Sequence, residues 1–600
     1  MKVTILTILI CNFFITLSSF SNTDEQYGYS VTSIGDINND GYDDAAAGAP
    51  QNDDRDENAG KVYIFMGGNE YDLNPDYEIY GSTSGATNEY FGYSVSGAGD
   101  VNNDGYDDII VGAPYYGLAT GRVFIFFGSA SVDTSADLIM TGTLGSFFGN
   151  SVSGAGDLNN DGFDDIITGA SQYNSNTGRA FVYLGGSPMN GTIDLTMTGI
   201  GTGNYLGTSV SKAGDVNNDN FDDFVVGSPG NSSSNGRANI YLGSAVLNNS
   251  ADIIVTGQAS YGYFGTSVSN AGDVNNDGYD DVIIGAYGLN SSNGRIYIYY
   301  GGAVMNNVSD LEVSGSSGYE FGYCVSDAGD VNNDGYDDFV AGAPSSPSGN
   351  IYIFYGGTTI DSIPDVQYSG ENTGDKYGYS VSSAGDMNND TLSDIISGAY
   401  GYNISAGNVY IYIRSNVALI FTKVIPEAYY NLLTNQLQTD DTVRLYLHLS
   451  SPPYSLIDSS IAVINFNDYM GIFPFPSVSN GTYYLKVIHR NTIETWSKNG
   501  GMLFAVNSIM TYNFTDLQSK AYGNNMIQVD NSPVRFGIYS GDVNQDGIID
   551  AVDNGAIDND ASNYSTGYLS TDLNGDIFVD ATDAAFAENN ASNYVNSISP

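Results

Sequence analysis

Gly99-Asp100-Val101-Asn102-Asn103-Asp104-Gly105-Tyr106-Asp107-Asp108 is the stretch of this sequence that decides the fold. Oxygen-bearing side chains stand at loop positions one, three, five and nine, which are Asp100, Asn102, Asp104 and Asp108. Calcium takes about six to eight oxygen ligands from a flexible loop, and this spacing is typical of such a loop. Gly105 at position six allows the sharp turn that lets Tyr106 at position seven offer its main-chain carbonyl.

This loop recurs seven times along the chain at a nearly constant spacing. An acidic insertion at 52–57 explains why the first interval is the longest. A fixed period of this length is typical of a propeller, a solenoid or an array, in which one supersecondary unit repeats. The first loop residues are Asp36, Asp100, Asp157, Asp215, Asp273, Asp330 and Asp386, at intervals of 64, 57, 58, 58, 57 and 56 residues.

Each repeat contains four short apolar or alternating runs. In the second repeat they fall near 92–97, 108–112, 122–127 and 137–141, between Gly, Asn and Asp residues. Such runs predict strands, and four strands taken seven times predict a mainly β fold, a seven-bladed β-propeller. Position twelve of the second loop is Val111, inside a predicted strand, where an EF-hand has a bidentate Glu. Each metal loop is therefore expected in the hairpin between the first two strands of a blade.

Two further recurring elements give a resemblance to a known family. Repeats open on an apolar-Gly pair such as Phe91-Gly92, and several second strands end in Gly-Ala-Pro, as at Gly112-Ala113-Pro114. With the loop, these elements resemble FG-GAP repeats, which build the integrin α-subunit propeller and many secreted microbial proteins. The resemblance covers roughly residues 22–415. Asn220 and Thr391 depart from it by replacing the loop Gly, and Thr tolerates the left-handed conformation poorly.

We therefore predict seven calcium sites in the propeller, each with four side-chain ligands and the main-chain carbonyl of position seven. Loop by loop, the predicted ligands are Asp36, Asn38, Asp40, Tyr42, Asp44, Asp100, Asn102, Asp104, Tyr106, Asp108, Asp157, Asn159, Asp161, Phe163, Asp165, Asp215, Asn217, Asp219, Phe221, Asp223, Asp273, Asn275, Asp277, Tyr279, Asp281, Asp330, Asn332, Asp334, Tyr336, Asp338, Asp386, Asn388, Asp390, Leu392 and Asp394.

The N-terminal residues predict a secretory signal peptide at 1–21. Met1-Lys2 gives a basic start, 3–17 is apolar but too short to span a bilayer, and small residues precede a cleavage point near Ser21. No second apolar stretch of membrane-spanning length follows, so the protein is expected to be secreted, extracellular or at the cell surface. The mature chain then holds one thiol, Cys324, which we expect to be a small buried strand residue.

The charge of the chain excludes two classes of partner. The 17 Lys and Arg and 69 Asp and Glu give a net charge of −52. Nine calcium ions, seven in the propeller and two near the C-terminus, would add +18 and leave −34. Nucleic acid and anionic lipid are bound through clustered Lys and Arg, so neither is expected to bind.

From 416 to 536 the period disappears. Runs at 444–449, 461–466 and 483–489 alternate like strands, with turn residues such as Asn480-Gly481 between them. They predict an antiparallel β-sandwich, Ig-like or transthyretin-like, and the 481–487 run is similar to transthyretin-like or carboxypeptidase-regulatory-like modules. Trp496, His448 and His489 are expected to be packing or surface residues. Two segments, 22–26 and 417–424, remain alternatives for the strand that closes the last blade, and 417–424 could equally begin this domain.

Residues 537–600 contain a different loop, present twice at a distance of thirty residues and followed each time by a predicted short helix. The duplicated loop, closed by Asp at position twelve, resembles a dockerin type I domain. That resemblance implies two calcium ions, a small α-helical domain and possible binding to a cohesin-like partner. Ile577 replaces the usual Gly of the second loop. The predicted ligands are Asp542, Asn544, Asp546, Ile548, Asp550, Asp553, Asp572, Asn574, Asp576, Phe578, Asp580 and Asp583.

Three functions are compatible with this organisation. The first is a non-catalytic calcium-binding adhesion protein whose ligand is an extracellular protein or glycan. The second is an extracellular polysaccharide-active enzyme or phospholipase with FG-GAP repeats, and the third is a dockerin-borne component of a cohesin assembly. Residues 22–415 contain no His, which excludes His-assisted nucleophilic catalysis and His-ligated zinc there. The sequence therefore favours the first function, with no catalytic residue and no cofactor besides calcium.

Loop direction predicts the ligand face of the propeller. Because successive strands are antiparallel, the loops between second and third strands share the face opposite the calcium loops with the blade connections. Tyrosine is favoured on binding surfaces because it offers wide contact and a hydroxyl at low entropic cost, although a chain with 48 Tyr could carry some there by chance. The tyrosines on this face are Tyr115, Tyr116, Tyr173, Tyr287, Tyr400 and Tyr402 on the loops, and Tyr90, Tyr205, Tyr261 and Tyr319 on the connections.

Overall fold

A computed structural model describes residues 25–68, 75–81, 88–316, 318–414, 418–475, 478, 480–504 and 509–600. The predicted signal peptide at 1–21 lies outside these residues. The described chain divides into two compact units, one that ends at Arg414 and one that follows it. Among the described residues, no helix is both long enough and apolar enough to cross a membrane.

The first unit is built of antiparallel sheets that follow one another along the chain. Within its described residues, six sheets have four strands each in sequential order. This confirms the mainly β prediction and the four-strand repeat. The strands, sheet by sheet, are Ser30–Gly35, Asp44–Ala49, Lys61–Phe65 and Tyr77–Tyr80; Ser94–Gly99, Asp108–Ala113, Arg122–Phe126 and Leu138–Thr141; Val152–Gly156, Asp165–Ala170, Arg179–Tyr183 and Leu195–Thr198; Val210–Gly214, Asp223–Gly227, Arg237–Tyr241 and Ile253–Thr256; Val268–Gly272, Asp281–Gly285, Arg295–Tyr299 and Leu311–Ser314; Val325–Gly329, Asp338–Ala343, Asn350–Phe354 and Val366–Ser369.

A seventh sheet has three described strands, Ser380–Gly385, Asp394–Gly398 and Val409–Tyr412. The segment 417–424, one of the two alternatives for a closing strand, does not join it. Its described part, Ala418–Lys423, pairs instead with Met470–Phe475 and Ile509–Asn513 in the second unit. Of the other alternative, 22–26, only the last two residues are described, and they form no strand.

The sheets pack face to face through buried apolar side chains. The strand Asp108–Ala113 is buried along its whole length, because sheets cover it on both sides. Ile34 and Val62 of the first sheet share one core with Val111 and Phe124 of the second. The first strand of each sheet contacts that of the next, and the first strand of the seventh sheet contacts that of the first.

The Gly residues of the repeat explain this close approach. A Cβ added to Gly112 would lie 2.0 Å from the carbonyl oxygen of Gly149 in the next sheet. A Cβ on Gly398 would lie 1.9 Å from the carbonyl oxygen of Gly28, so the same contact joins the seventh sheet to the first. The Gly of Gly-Ala-Pro and the Gly of the apolar-Gly pair are therefore two sides of one contact between sheets.

The second unit begins with two main sheets around one core. A sheet of three strands has Ala418–Lys423 at its centre, and a sheet of five is formed by Asp441–Leu449, Leu456–Ile464, Gly481–His489, Thr495–Trp496 and Met502–Phe504. The three runs predicted as strands fall on the longest of these, although the second lies at 456–464 rather than 461–466. Gly481 begins a strand instead of forming a turn. Short pairs complete this part, Tyr430–Asn431 with Gln436–Leu437 and Ile527–Asn531 with Val534–Gly537, beside 3-10 turns at Glu427–Tyr429, Gln518–Lys520 and Tyr522–Asn524.

The unit ends in two helices, Ala551–Ser562 and Ala581–Ser592, each directly after one of the duplicated loops. Asp550 caps the first helix by accepting a hydrogen bond from Val552 N, and Asp553 returns one by accepting from Asp550 N. Asp580 and Asp583 repeat the arrangement. These capping boxes explain why a helix starts at this point of a sequence that is otherwise weakly amphipathic.

Candidate calcium loops and ligand face

The seven predicted calcium loops share one hydrogen-bonded geometry. In the second loop, Asp100 accepts bonds from Asp104 N and Gly105 N at 3.0 and 2.8 Å. Asp104 accepts from Tyr106 N at 3.2 Å. The same bonds, position five and six N–H to position one and position seven N–H to position five, occur in the other six loops. The loop sequence thus folds each hairpin onto its own acidic side chains.

The position-nine aspartates are the most buried of the predicted ligands in each loop. Asp108 is fully buried and accepts hydrogen bonds from Val101 N at 3.0 Å and Gly128 N at 2.8 Å. Burial raises its pKa to about 8, the two main-chain bonds oppose that rise, and the carboxylates of Asp104 and Asp100 add to it. Burial likewise raises the pKa of the other six, to about 8 at Asp44, Asp223, Asp281 and Asp338, about 7 at Asp165 and about 9 at Asp394.

The surroundings of the side-chain amide at position three show whether a cation fits these loops. In five loops the amide oxygen is buried and has no hydrogen-bond donor within the described structure: Asn102, Asn159, Asn217, Asn275 and Asn332. A buried polar oxygen without a partner costs about 1–3 kcal/mol, so its recurrence calls for a ligand. In the first and last loops, the amide oxygens of Asn38 and Asn388 accept the position-five N–H instead. An all-oxygen set with unpaired amides suits a hard cation such as calcium.

The carboxylates themselves are turned towards main-chain N–H groups. Across the described residues, no three or more His, Cys, Asp or Glu side chains converge as a ready metal cluster.

Loop position six has positive φ in all seven propeller loops, including Asn220 at 68° and Thr391 at 73°. Thr391 is thus held in a conformation that a β-branched residue rarely adopts, which agrees with its predicted poor fit.

Sequence reasoning missed the aspartates at loop position eight. Asp107 does not serve its own loop: its Oδ2 accepts a hydrogen bond at 2.9 Å from the N–H of Asp36, in the preceding loop. The recurring Asp-Asp pair at positions eight and nine could have pointed to this residue, because nothing in a single loop requires the first of the two.

The two C-terminal loops are alike in structure as well as in sequence. Asp542 accepts from Asp546 N and Gly547 N at 3.1 and 3.0 Å, and burial raises its pKa to about 6. Asp572 accepts from Gly575 N and Ile577 N at 2.9 and 3.1 Å. At position twelve, Asp553 and Asp583 accept the position-two N–H, at 3.0 and 2.8 Å, besides capping the helices. Their remaining predicted ligands lie in the same two loops: Asn544, Ile548, Asp550, Asn574, Asp576, Phe578 and Asp580.

Both C-terminal loops are joined by side-chain hydrogen bonds to the sheet-containing part of the same unit. Asn491 Nδ2 donates to the carbonyl of Asp572 at 3.0 Å, and Gln545 Nε2 donates to the carbonyl of His489 at 3.2 Å. His489 is buried, with Nε2 3.1 Å from Asp441 Oδ2. Burial would raise the pKa of Asp441, but hydrogen bonds from His489 and a neighbouring tyrosine outweigh it and hold that pKa below its usual range. The two histidines are thus packing groups, His448 lying against Trp496 at 4.5 Å.

Opposite the calcium loops, ten aromatic side chains, all half-buried except the exposed Tyr115, form a continuous band that we call the aromatic arc. Its members precede the first strands or lie in the loops between second and third strands. Neighbouring ring centroids are 4.5 to 5.9 Å apart. Along the arc they are Phe147, Tyr115, Tyr90, Tyr93, Tyr29, Tyr379, Tyr400, Tyr323, Tyr287 and Tyr263.

The arc includes only part of the predicted tyrosine set. Tyr116 and Tyr173 lie instead against the guanidinium groups of Arg122 and Arg179, at 3.5 and 3.8 Å. The prediction missed Tyr29, Tyr93, Tyr323 and Tyr379, although each directly follows the apolar-Gly pair of its repeat. Cys324 also departs from its prediction, because it is half-buried just before a strand, where its Sγ accepts from Val381 N at 3.4 Å.

The repeats of the first unit match a known family model. The FG-GAP repeat model matches six segments, 27–65, 91–126, 148–183, 206–241, 264–299 and 326–354. The chain therefore carries six FG-GAP repeats, which confirms that part of the sequence resemblance. The seventh repeat of the sequence pattern, from Tyr377, lies beyond the last matched segment.

Vertebrate integrin α-subunits are similar to part of the chain. Integrin alpha-5 of Xenopus laevis is 31% identical over 248 residues, which are 39% of this chain and 23% of that protein. Integrin alpha-6 of Homo sapiens is 38% identical over 148 residues, which are 24% of this chain and 12% of that protein. The chain thus spans less than a quarter of the length of these relatives.

The comparison with solved structures includes a cohesin–dockerin complex. A type II cohesin–X-dockerin complex from Acetivibrio cellulolyticus covers 30% of this chain and 99% of that chain, at 16% identity and a TM-score of 0.20. A TM-score this low establishes no common fold. The dockerin resemblance therefore rests on the duplicated loop alone.

Proposed function

We propose that this chain is a secreted or cell-surface ligand-binding protein of the adhesion type, whose seven sheets are the blades of a closed propeller stabilised by calcium. Six FG-GAP repeats and the similarity to integrin α-subunits support an extracellular ligand-binding role. The contact between the seventh and first sheets supports closure. Calcium has a structural task in this account and takes part in no reaction.

The recurring unpaired amide oxygen at loop position three carries the calcium proposal. A buried amide oxygen without a partner costs free energy, and a cation bound to it removes that cost. The charge of the cation also favours the ionised form of the buried position-nine aspartate. The residues that would hold calcium are those predicted from the sequence, at positions one, three, five, seven and nine. The C-terminal pair of loops would hold two further ions in a dockerin-like module, for which a cohesin-like partner is a separate proposal.

The aromatic arc is the proposed ligand face. Half-buried tyrosines provide rigid apolar area together with hydroxyl groups, which suits an extracellular protein or a glycan. Acidic residues at 52–57 lie in the loop between the second and third strands of the first sheet, on the same side, so an anionic ligand is disfavoured. We infer a non-catalytic role, because both histidines of the chain lie outside the repeats and pack inside the second unit.

Thermal unfolding with and without calcium tests the calcium proposal. We expect a large rise in melting temperature in calcium that excess chelator abolishes, since a ligand that binds only the folded state stabilises it by mass action. Asn275→Ala should reduce that rise, whereas Asn38→Ala, at an amide already paired, should reduce it less. Identical melting curves in calcium and chelator would contradict the proposal.

Binding to arrayed glycans and extracellular-matrix proteins tests the ligand face. Replacing Tyr115 and Tyr287 with Ser should abolish binding of the ligand that an array identifies, while calcium-dependent melting stays unchanged. Loss of binding only when the calcium loops are altered would place the ligand on the opposite face.

A further inference from the structure

The calcium loops of neighbouring sheets are joined by side chains that bind no calcium in the proposed scheme. Asp107 stands at position eight of the second loop, and its Oδ2 accepts a hydrogen bond from the N–H of Asp36 at 2.9 Å. Asp36 is the position-one ligand of the first loop, and the next residue after Asp107 is the position-nine ligand Asp108. One carboxylate therefore connects a ligand of one loop to a ligand of the next.

The same bond joins six pairs of neighbouring loops. Its N···O distances are 2.8 or 2.9 Å, and it also runs from the seventh loop to the first, where Asp386 N donates to Asp43. The carboxylate fits because the residue before position one is Gly: a Cβ on Gly35 would lie 2.1 Å from Asp107 Oδ2. The other acceptors are Asp164, Asp222, Asp280 and Asp337, which accept from Asp100, Asp157, Asp215 and Asp273.

A second side-chain bond runs in the same direction at five of these junctions. Asn39 Nδ2, at position four of the first loop, donates to the carbonyl of Gly105, at position six of the second, at 3.0 Å. This hydrogen bond fixes the turn that precedes the position-seven ligand. The equivalent donors are Asn103, Asn160, Asn218 and Asn276.

The junction between the sixth and seventh loops is different. Position eight of the seventh loop is Ser393, and its Oγ occupies the place beside Gly329 that a carboxylate takes elsewhere. The main-chain bond found at the other six junctions is kept here, from Ser393 N to the carbonyl of Asp330 at 3.4 Å, but within the described structure no side-chain bond to Asp330 N accompanies it. A serine hydroxyl is a shorter and neutral acceptor, so it cannot replace a charge-assisted bond.

We propose that the position-eight aspartates are positioning residues that couple calcium binding between neighbouring loops, and that the coupling is interrupted at Ser393. Calcium that orders Asp36 presents its N–H to Asp107 and thereby fixes the end of the second loop, where Asp108 binds the next ion. Neighbouring loops then bind calcium cooperatively, except across the junction between the sixth and seventh loops, which we call the seam. This inference rests on the proposed calcium function.

Hydrogen exchange of the full-length protein during a calcium titration tests the coupling loop by loop. In Asp107→Ala, the calcium concentration that half-protects 36–44 should rise about tenfold, the value of one charge-assisted hydrogen bond. Protection of 273–281, in a distant loop, should be unchanged. Asp107→Asn should restore protection of 36–44 in part, because the amide oxygen still accepts from Asp36 N but carries no charge.

The seam offers the matched control. Ser393→Ala should change protection of 330–338 little, whereas Ser393→Asp should lower the calcium concentration at which it becomes protected. The coupling is wrong if Asp107→Ala affects only its own loop, 100–108, or weakens all loops equally. If calcium protects no loop in the unaltered protein, the proposed calcium function fails first and this inference fails with it.

Discussion

Seven buried carboxylates at loop position nine should make the stability of the metal-free protein depend on pH. Burial raises their pKa from the ordinary 3.8 to between about 7 and about 9. An acid whose folded pKa exceeds its unfolded pKa binds more protons in the folded state. The contribution of these groups to the free energy of unfolding therefore falls as the pH rises from about 4 to about 9, and it is highest below that window.

The size of the effect follows from the number of groups. The folded pKa values lie about two to four units above pH 5, and one pKa unit corresponds to ~1.4 kcal/mol, so counting only one of those units at each of the seven carboxylates gives ~10 kcal/mol between pH 5 and pH 8.5. That is comparable with the whole stability of a typical domain, about 5–15 kcal/mol. At about 2 °C for each kcal/mol, the metal-free protein should melt on the order of 20 °C lower near pH 8.5 than near pH 5. Calcium should reduce this difference, because the cation favours the ionised carboxylates.

Differential scanning calorimetry of protein dialysed free of metal measures the dependence. Asp281→Asn removes one titrating group, so the metal-free variant should melt above the unaltered protein near pH 8.5 and close to it near pH 5. Asp133→Asn, at an exposed carboxylate, should leave the pH dependence unchanged. A metal-free protein that melts at the same or a higher temperature near pH 8.5 than near pH 5 would refute the reasoning.

Other predictions concern single residues. Thr391→Gly should raise the free energy of unfolding by about 1–2 kcal/mol in a denaturant titration, because it relieves a β-branched residue at positive φ, whereas Asn220→Gly should have a smaller effect. Asn491→Ala should destabilise the second unit by about 1–3 kcal/mol, measured as its calorimetric transition, because the carbonyl of Asp572 loses a buried donor. It should also weaken calcium binding at 572–583. Tyr29→Ser and Tyr379→Ser should weaken ligand binding as Tyr115→Ser does, which surface plasmon resonance can compare.

The sequence was informative wherever one residue type recurs at a fixed place. The period predicted the four-strand sheets, and the oxygen spacing predicted hairpin loops that fold on Asp100 and its equivalents as expected. The function of Asp107 could not be predicted, because its acceptor role depends on a residue in the preceding loop, 71 positions away in the chain. The aromatic arc was found only in part for the same reason: Tyr29 and Tyr379 meet through contact between the first and last sheets.

The second unit was harder to predict because it lacks a repeat. Its three long strands were predicted from the alternation of apolar and polar residues. The sheet that 418–423 joins could not be predicted, because it depends on pairing with strands about 50 and about 90 residues further along the chain. Nothing in the local sequence indicated that Asn491 and Gln545 join the sheets of this unit to its C-terminal loops. Such contacts arise from tertiary packing of segments with no shared pattern.

The number of calcium ions bound by each chain tests the central claim most directly. The full-length protein, equilibrated with calcium and freed of excess by gel filtration, can be measured by inductively coupled plasma mass spectrometry. Seven repeat loops and two C-terminal loops predict nine ions, falling to eight in Asp277→Ala. A protein that retains no calcium under these conditions, or a number that does not change in this variant, would contradict the account.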